Sequence, residues 1–161
     1  MTRDQFKSLF DRYFDEIRRY LYYRSGDADL STDLAQDTFM RIWEKQMAIL
    51  PGKDKGLLYK IAGDLFVSHV RRAKLGAVIL AEFHFEPQTT TPEEELQFAE
   101  MKEKIERLIK SLPDKQRVVY LMSRMEELTY REIAERLSLS VKAVEKRMTA
   151  ALSYLRKELT I

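Results

Sequence analysis

From Phe6 to Leu21 the apolar residues recur every three or four positions: Phe6, Leu9, Phe10, Tyr13, Phe14, Ile17, Tyr20 and Leu21. Only a helix turns such a set onto one broad face. The same spacing returns along most of the chain, and no sustained alternation of apolar and polar residues competes with it. Five Gly and four Pro in 161 residues leave few helix breakers, and they cluster between the periodic stretches. The fold class this predicts is all-α.

The breaks divide the chain. Ser25-Gly26-Asp27 stops the first helix. A second carries Leu34, Ala35, Thr38, Phe39, Ile42 and Trp43 inward, and Pro51–Gly56 interrupts it. A third turns Leu58, Ile61, Ala62, Leu65 and His69 to the core and ends in Arg71-Arg72. The stretch FEPQTTTPEEE (Phe85–Glu95) then loses all period and reads as a linker. Helices resume from Glu94 to Leu112, with Leu96, Ala99, Met101, Ile105, Leu108 and Ile109 as apolar positions, and again over Gln116–Met125. The organisation expected is two small helical domains, 1–75 and 96–161, joined by a flexible acidic linker at 76–95.

Net charge is only +2, but it is partitioned. Residues 1–75 hold 14 Lys/Arg and 11 Asp/Glu, residues 76–100 hold none and six, and residues 101–161 hold 14 and nine. Two basic blocks flanking an acidic one make nucleic acid a reasonable partner where the total would not. The absence of Cys excludes disulfides and thiolate metal sites. His69 and His84 are not in metal-ligand spacing, and no Gly-rich phosphate loop or His–carboxylate pair occurs. No catalysis, metal, cofactor or small-molecule substrate is therefore expected. Polar residues follow Met1 and no apolar run reaches membrane-spanning length, so neither a signal peptide nor membrane insertion is expected, and the chain reads as cytoplasmic.

The most informative stretch is LTYREIAERLSLSVKAVEKRM (Leu128–Met148). Thr129 and Glu132 fit a capping box. Ile133, Ala134 and Leu137 give a short inward face, and small Ala134 permits a close helix crossing. Ser138-Leu139-Ser140 makes the turn, with Ser138 where a glycine would fit most easily. Ser140 can cap the next helix, whose inward side is Val141, Val144, Met148, Ala151 and Leu155. Its outward side holds Lys142, Glu145, Lys146 and Thr149, with Arg147 near the edge. This is the layout of a helix-turn-helix, whose second helix reads base edges in the major groove. Lys can donate to guanine and Glu can accept from cytosine, while Tyr130 and Arg131 would meet the backbone. The same residues fit an αα-hairpin with a solvated charged face, a stand-alone duplex-binding regulator whose front half dimerises, or a helical adaptor for acidic partners.

Leu112–Leu159 closely resembles region four of bacterial sigma factors. The front half resembles region two, through DLAQDTFMRIWEK (Asp33–Lys45) and LLYKIAGDLFVSHVRR (Leu57–Arg72). Both in this order, with nothing but a linker between, resemble the extracytoplasmic-function (ECF) group over about residues 6–159. The resemblance implies a subunit that joins core RNA polymerase and reads the −35 and −10 elements of promoter DNA. It implies core-polymerase binding by Asp33, Gln36, Asp37, Arg41 and Glu44. It also implies −10 recognition and melting by Lys53, Lys55, Tyr59, Lys60, Asp64, Arg71 and Arg72, with Tyr59 offering a stacking face and the Gln46–Gly56 loop a pocket for an extruded base. An anti-sigma factor is an expected partner. The chain departs from the family pattern at Leu57, where an aromatic residue is common, and at Gly63-Asp64, where Arg-Asn or a similar pair is common.

Overall fold

The computed structural model describes residues 1–50, 52–72 and 92–159. All regular structure among them is helical: α1 (Arg3–Ser25), α2 (Ala28–Glu44), α3 (Asp54–Arg72), α4 (Pro92–Ser111), α5 (Asp114–Glu126), α6 (Tyr130–Leu137) and α7 (Val141–Leu159). The expected linker lies, up to residue 91, outside the described residues.

Each helix begins and ends for local reasons. Thr2 caps α1 in a box with Gln5, and Gly26 takes the left-handed conformation (φ 67°) that closes its C-terminus. Asp27 caps α2 by accepting the Leu30 amide. Two starts come earlier than the periodicity predicts. α3 begins at Asp54, inside the expected break, and α4 begins at Pro92, inside the expected linker. Proline suits the first helical position because it has no amide to leave unpaired there, and acidic residues following it complement the helix dipole.

α1, α2 and α3 pack into a front bundle around Ile17, Leu21, Phe39, Ile42 and Leu58, which are at most 1% exposed. In the rear, α5, α6 and α7 enclose Val119, Leu121, Met122, Ile133 and Val144. α4 joins them through its C-terminal half. Ile105, Leu108 and Ile109 turn inward, whereas Leu96 (61%), Ala99 and Met101 (52%) stay exposed, contrary to their expected burial.

Trp43 also departs from its expected core position. The inward stripe of α2 already ends on Ile42, so the next residue falls about 100° round the helix. Trp43 therefore sits at the edge, 38% exposed, its ring 5.1 Å from that of Phe6.

The two halves are not apart. α1 packs on α5, and α3 packs on α6. Tyr22 and Tyr23, outside the expected apolar stripe of α1, are buried at 8% and 3% because α1 has this second set of neighbours.

Candidate functional site

The helix-turn-helix unit assembles as its caps dictate. The Thr129 hydroxyl accepts the Glu132 amide at 3.2 Å, and Glu132 Oε1 accepts the Thr129 amide at 3.2 Å. The hydrogen bonds from Thr129 hold the Glu132 carboxyl below its ordinary 4.5. Ser138 does adopt the left-handed conformation (φ 54°, ψ 45°), and its amide donates to the Ala134 carbonyl. A non-glycine residue there stores about 1 kcal/mol or more of backbone strain, which the surrounding packing must offset. Leu139, half-buried, fills the space at the turn, and Ser140 accepts the Ala143 amide at 3.1 Å.

With Val144, Met148, Ala151 and Leu155 buried, Lys142, Glu145, Lys146 and Thr149 are left exposed along one side of α7, whereas Val141, expected inward, is 41% exposed at the helix's first position. Arg131 is exposed at the start of α6, 4.0 Å from Glu135, and Tyr130 is half-buried against the core. Arg147 differs from its outward neighbours. It is half-buried and lines a cleft of about 560 Å³ between the halves, together with Lys60, Asp64 and Arg136.

On α2, Asp33, Gln36, Asp37, Arg41 and Glu44 are all exposed. The surface also holds two large apolar side chains, Met40 at 54% and Trp43 at 38%. Carboxylates interleaved with exposed apolar groups form the kind of face that a protein partner desolvates productively, and phosphate would be repelled by it.

The residues predicted to meet −10 DNA are placed less uniformly. Lys53, Lys60 and Asp64 are exposed. Arg71 and Arg72 close α3, and their side chains lie outside the described residues. Lys55 is half-buried, its Nζ 3.7 Å from Glu16 Oε1 and 5.8 Å from the centre of the Tyr13 ring. Tyr59 contradicts its expected role in this arrangement. It is 3% exposed, with its ring 4.9 Å from that of Tyr20, and its hydroxyl donates to Glu16 Oε1 at 3.1 Å. It offers no free stacking face. Burial, followed by the nearby Glu16 carboxylate, pushes its phenol well above the ordinary range. In the Gln46–Gly56 loop, the last three residues are already helical, and Met47 and Ile49 fold back over α1 above a 620 Å³ cavity.

Sequence reasoning missed the polar groups that join the halves. Glu16 Oε1 accepts from Tyr59 on α3 and pairs with Arg136 Nη1 on α6 at 3.1 Å. Arg24 makes two bonds to Asp114, at 2.8 and 3.1 Å, while its guanidinium stacks 4.5 Å from the Phe66 ring centre. Arg19 reaches Glu126 at 2.8 Å. Arg117, 9% exposed, donates to four carbonyls: Tyr23, Arg24, Lys110 and Leu112. Gly63 belongs to this cluster by what it lacks. A Cβ there would lie 3.2 Å from the Tyr20 hydroxyl and 3.5 Å from Arg24 Nη1. Among the described residues, no helix is long and apolar enough to cross a membrane.

Residues 9–75 match the family described as Sigma-70 region 2, and residues 102–155 match Sigma-70, region 4. The chain is 31% identical to the RNA polymerase sigma factor YlaC of Bacillus subtilis (strain 168), over 98% of this chain and 94% of that one. It is 29% identical to the ECF RNA polymerase sigma factor SigW of the same strain, over 98% and 90%. To the ferric citrate uptake sigma factor FecI of Escherichia coli (strain K12) it is 27% identical, over 92% and 87%. In fold it is similar to the sigma factor RpoE of Bartonella quintana, solved in complex with the anti-sigma factor NepR, with a TM-score of 0.64 over 98% of both chains at 18% identity.

Proposed function

Because the chain belongs to the ECF sigma factors, proteins that bind core RNA polymerase and direct promoter-specific initiation, we propose that it does so through three surfaces. The exposed row Asp33, Gln36, Asp37, Arg41 and Glu44 on α2 docks on core polymerase, with Met40 and Trp43 adding apolar area. Lys142, Glu145, Lys146 and Thr149 on α7 read the −35 element, and Tyr130 and Arg131 position α6 on its backbone. Lys53, Lys55, Lys60, Arg71 and Arg72 supply phosphate contacts at −10 and Asp64 reads the exposed strand, while Tyr59 can stack there only when its packing against Tyr20 and Glu16 of α1 gives way. The domain limits that go with these roles are 1–75, 76–95 and 96–161.

The observation that carries this reading is a front bundle and a helix-turn-helix unit spanning full-length likeness to sigma factors, with α7's polar side free. A stand-alone regulator would need no second DNA-reading module and no acidic, apolar-studded face on α2. The chain acts in the cytoplasm, has no catalysis of its own, and is restrained by an anti-sigma factor. The fold neighbour bound to NepR supports that last point.

Run-off transcription with purified core polymerase on a promoter library tests the reading. Initiation redirected to a shared pair of elements at −35 and −10 is expected. Failure to bind core or to redirect initiation would refute it.

A further inference from the structure

We propose that the cleft of about 560 Å³ between the halves is a binding site for a nucleoside di- or triphosphate, held by cations that α3, α5 and α7 leave without partners. The site stands on the composition of the cleft and does not depend on the promoter-binding role assigned above.

Two observations carry it. The first is charge. Arg24, Lys60, Lys115, Arg136 and Arg147 line the cleft, against a single carboxylate, Asp64. Arg24 is neutralised by Asp114 at 2.8 Å, and Arg136 by Glu16 at 3.1 Å. Lys60 on α3, Lys115 on α5 and Arg147 on α7 make no ion pair or hydrogen bond among the described residues. Half-buried Arg147 thus gives up hydration without gaining a partner in the chain, and an anionic ligand supplies one. Three free cations that border one cleft suit an anion of two or more negative charges better than a single carboxylate.

The second is what lies between the cations. Val67, Val118 and Leu139 give the cleft an apolar wall, and its volume is that of a small-molecule site. Inorganic phosphate would leave this wall in water, whereas a nucleoside body covers it. Asp64 repels phosphate, yet its carboxylate is unpaired among the described residues and can accept from ribose hydroxyls or a base amino group. Gly63 helps to keep the space open: the Tyr20 hydroxyl and Arg24 Nη1, on residues that also border the cleft, lie 3.2 and 3.5 Å from where a Cβ would be. A ligand that needs walls from both halves binds the folded, packed chain and so stabilises it by mass action.

Isothermal titration calorimetry of the full chain, without DNA or polymerase, tests the site with ADP, GDP, AMP and pyrophosphate at fixed ionic strength. ADP or GDP should bind one per chain, about tenfold or more tighter than AMP or pyrophosphate, and should raise Tm. Lys115→Glu reverses a cleft cation that belongs to no surface assigned to DNA or polymerase. It should weaken the nucleotide about tenfold or more and remove the rise in Tm. An acidic residue in the first turn of α5 complements the helix dipole, so this variant should fold. Lys142→Glu makes the same reversal on the outward side of α7, away from the cleft, and should change affinity by less than about twofold.

Uptake that does not saturate, or equal losses in the two variants, would mean an adventitious ion only and overturn the proposal. Pyrophosphate that binds as tightly as ADP and GDP would overturn the nucleotide assignment. A Lys115→Glu chain that binds nucleotide like the parent would overturn the site itself. Each of these results leaves the sigma role to the run-off assay, which decides it separately.

Discussion

Arg117→Ala should cost more than any other substitution at the contact between the halves. Its guanidinium donates to the Tyr23 and Arg24 carbonyls in the last turn of α1, at 3.0 and 2.6 Å. It also donates to the Lys110 and Leu112 carbonyls at the end of α4, at 3.0 and 3.1 Å. One cation thus caps two helices at their electronegative ends, where the final carbonyls have no partner within the helix. A hydrogen bond to a charged group contributes about 1.5–3 kcal/mol net. Burial acts against Arg117, lowering its pKa; the Asp114 carboxylate opposes this and the like charge of Arg24 adds to it, so part of the gain offsets desolvation. Water can also reach some of the carbonyls once the side chain is gone. The net loss expected is about 3 kcal/mol, between one such bond and the full set. For a chain of this size that lowers Tm by roughly 6–12 °C. Arg117→Lys keeps the charge but loses the planar fork, and should fall between the two. Thermal unfolding followed by far-UV circular dichroism at pH 7 measures all three proteins. A Tm for Arg117→Ala within about 2 °C of the parent would show that these four bonds contribute nothing net.

Other expected outcomes follow from the same geometry. Asp33→Lys with Asp37→Lys should abolish core-polymerase binding while leaving binding of isolated −35 duplex unchanged; loss of both would indicate misfolding, which circular dichroism would reveal. Lys146→Glu should weaken −35 duplex binding by about 1–3 kcal/mol and flatten its salt dependence, as measured by fluorescence anisotropy across a salt series. Thr129→Ala should cost about 1 kcal/mol of stability through the lost cap. In the parent, the depressed Glu132 pKa means that its hydrogen-bonded carboxylate stabilises the fold above pH 4.5 and stops doing so as pH falls through the lower folded value. In Thr129→Ala, the Glu132 carboxyl should titrate nearer 4.5 by NMR.

The sequence alone determined the parts whose cause is local. The seven described helices, the capping box at Thr129 and the exposed row on α7 each follow from spacing within a few residues, because helical period and cap chemistry act over one or two turns. Family likeness then suggested the core-polymerase role proposed for Asp33, Gln36, Asp37, Arg41 and Glu44, which composition by itself left as a solvated face. Tertiary structure decided what no local period records. Tyr59 looks like an open stacking surface until Glu16, 43 positions away, accepts its hydroxyl. Arg117 looks like one more solvated cation until it meets carbonyls 93 and 94 positions earlier. Tyr22 and Tyr23 lie off the helical stripe and are buried all the same, because α1 is shared by both halves. Burial of a polar group depends on which distant surfaces close over it, and only the folded chain brings those surfaces together.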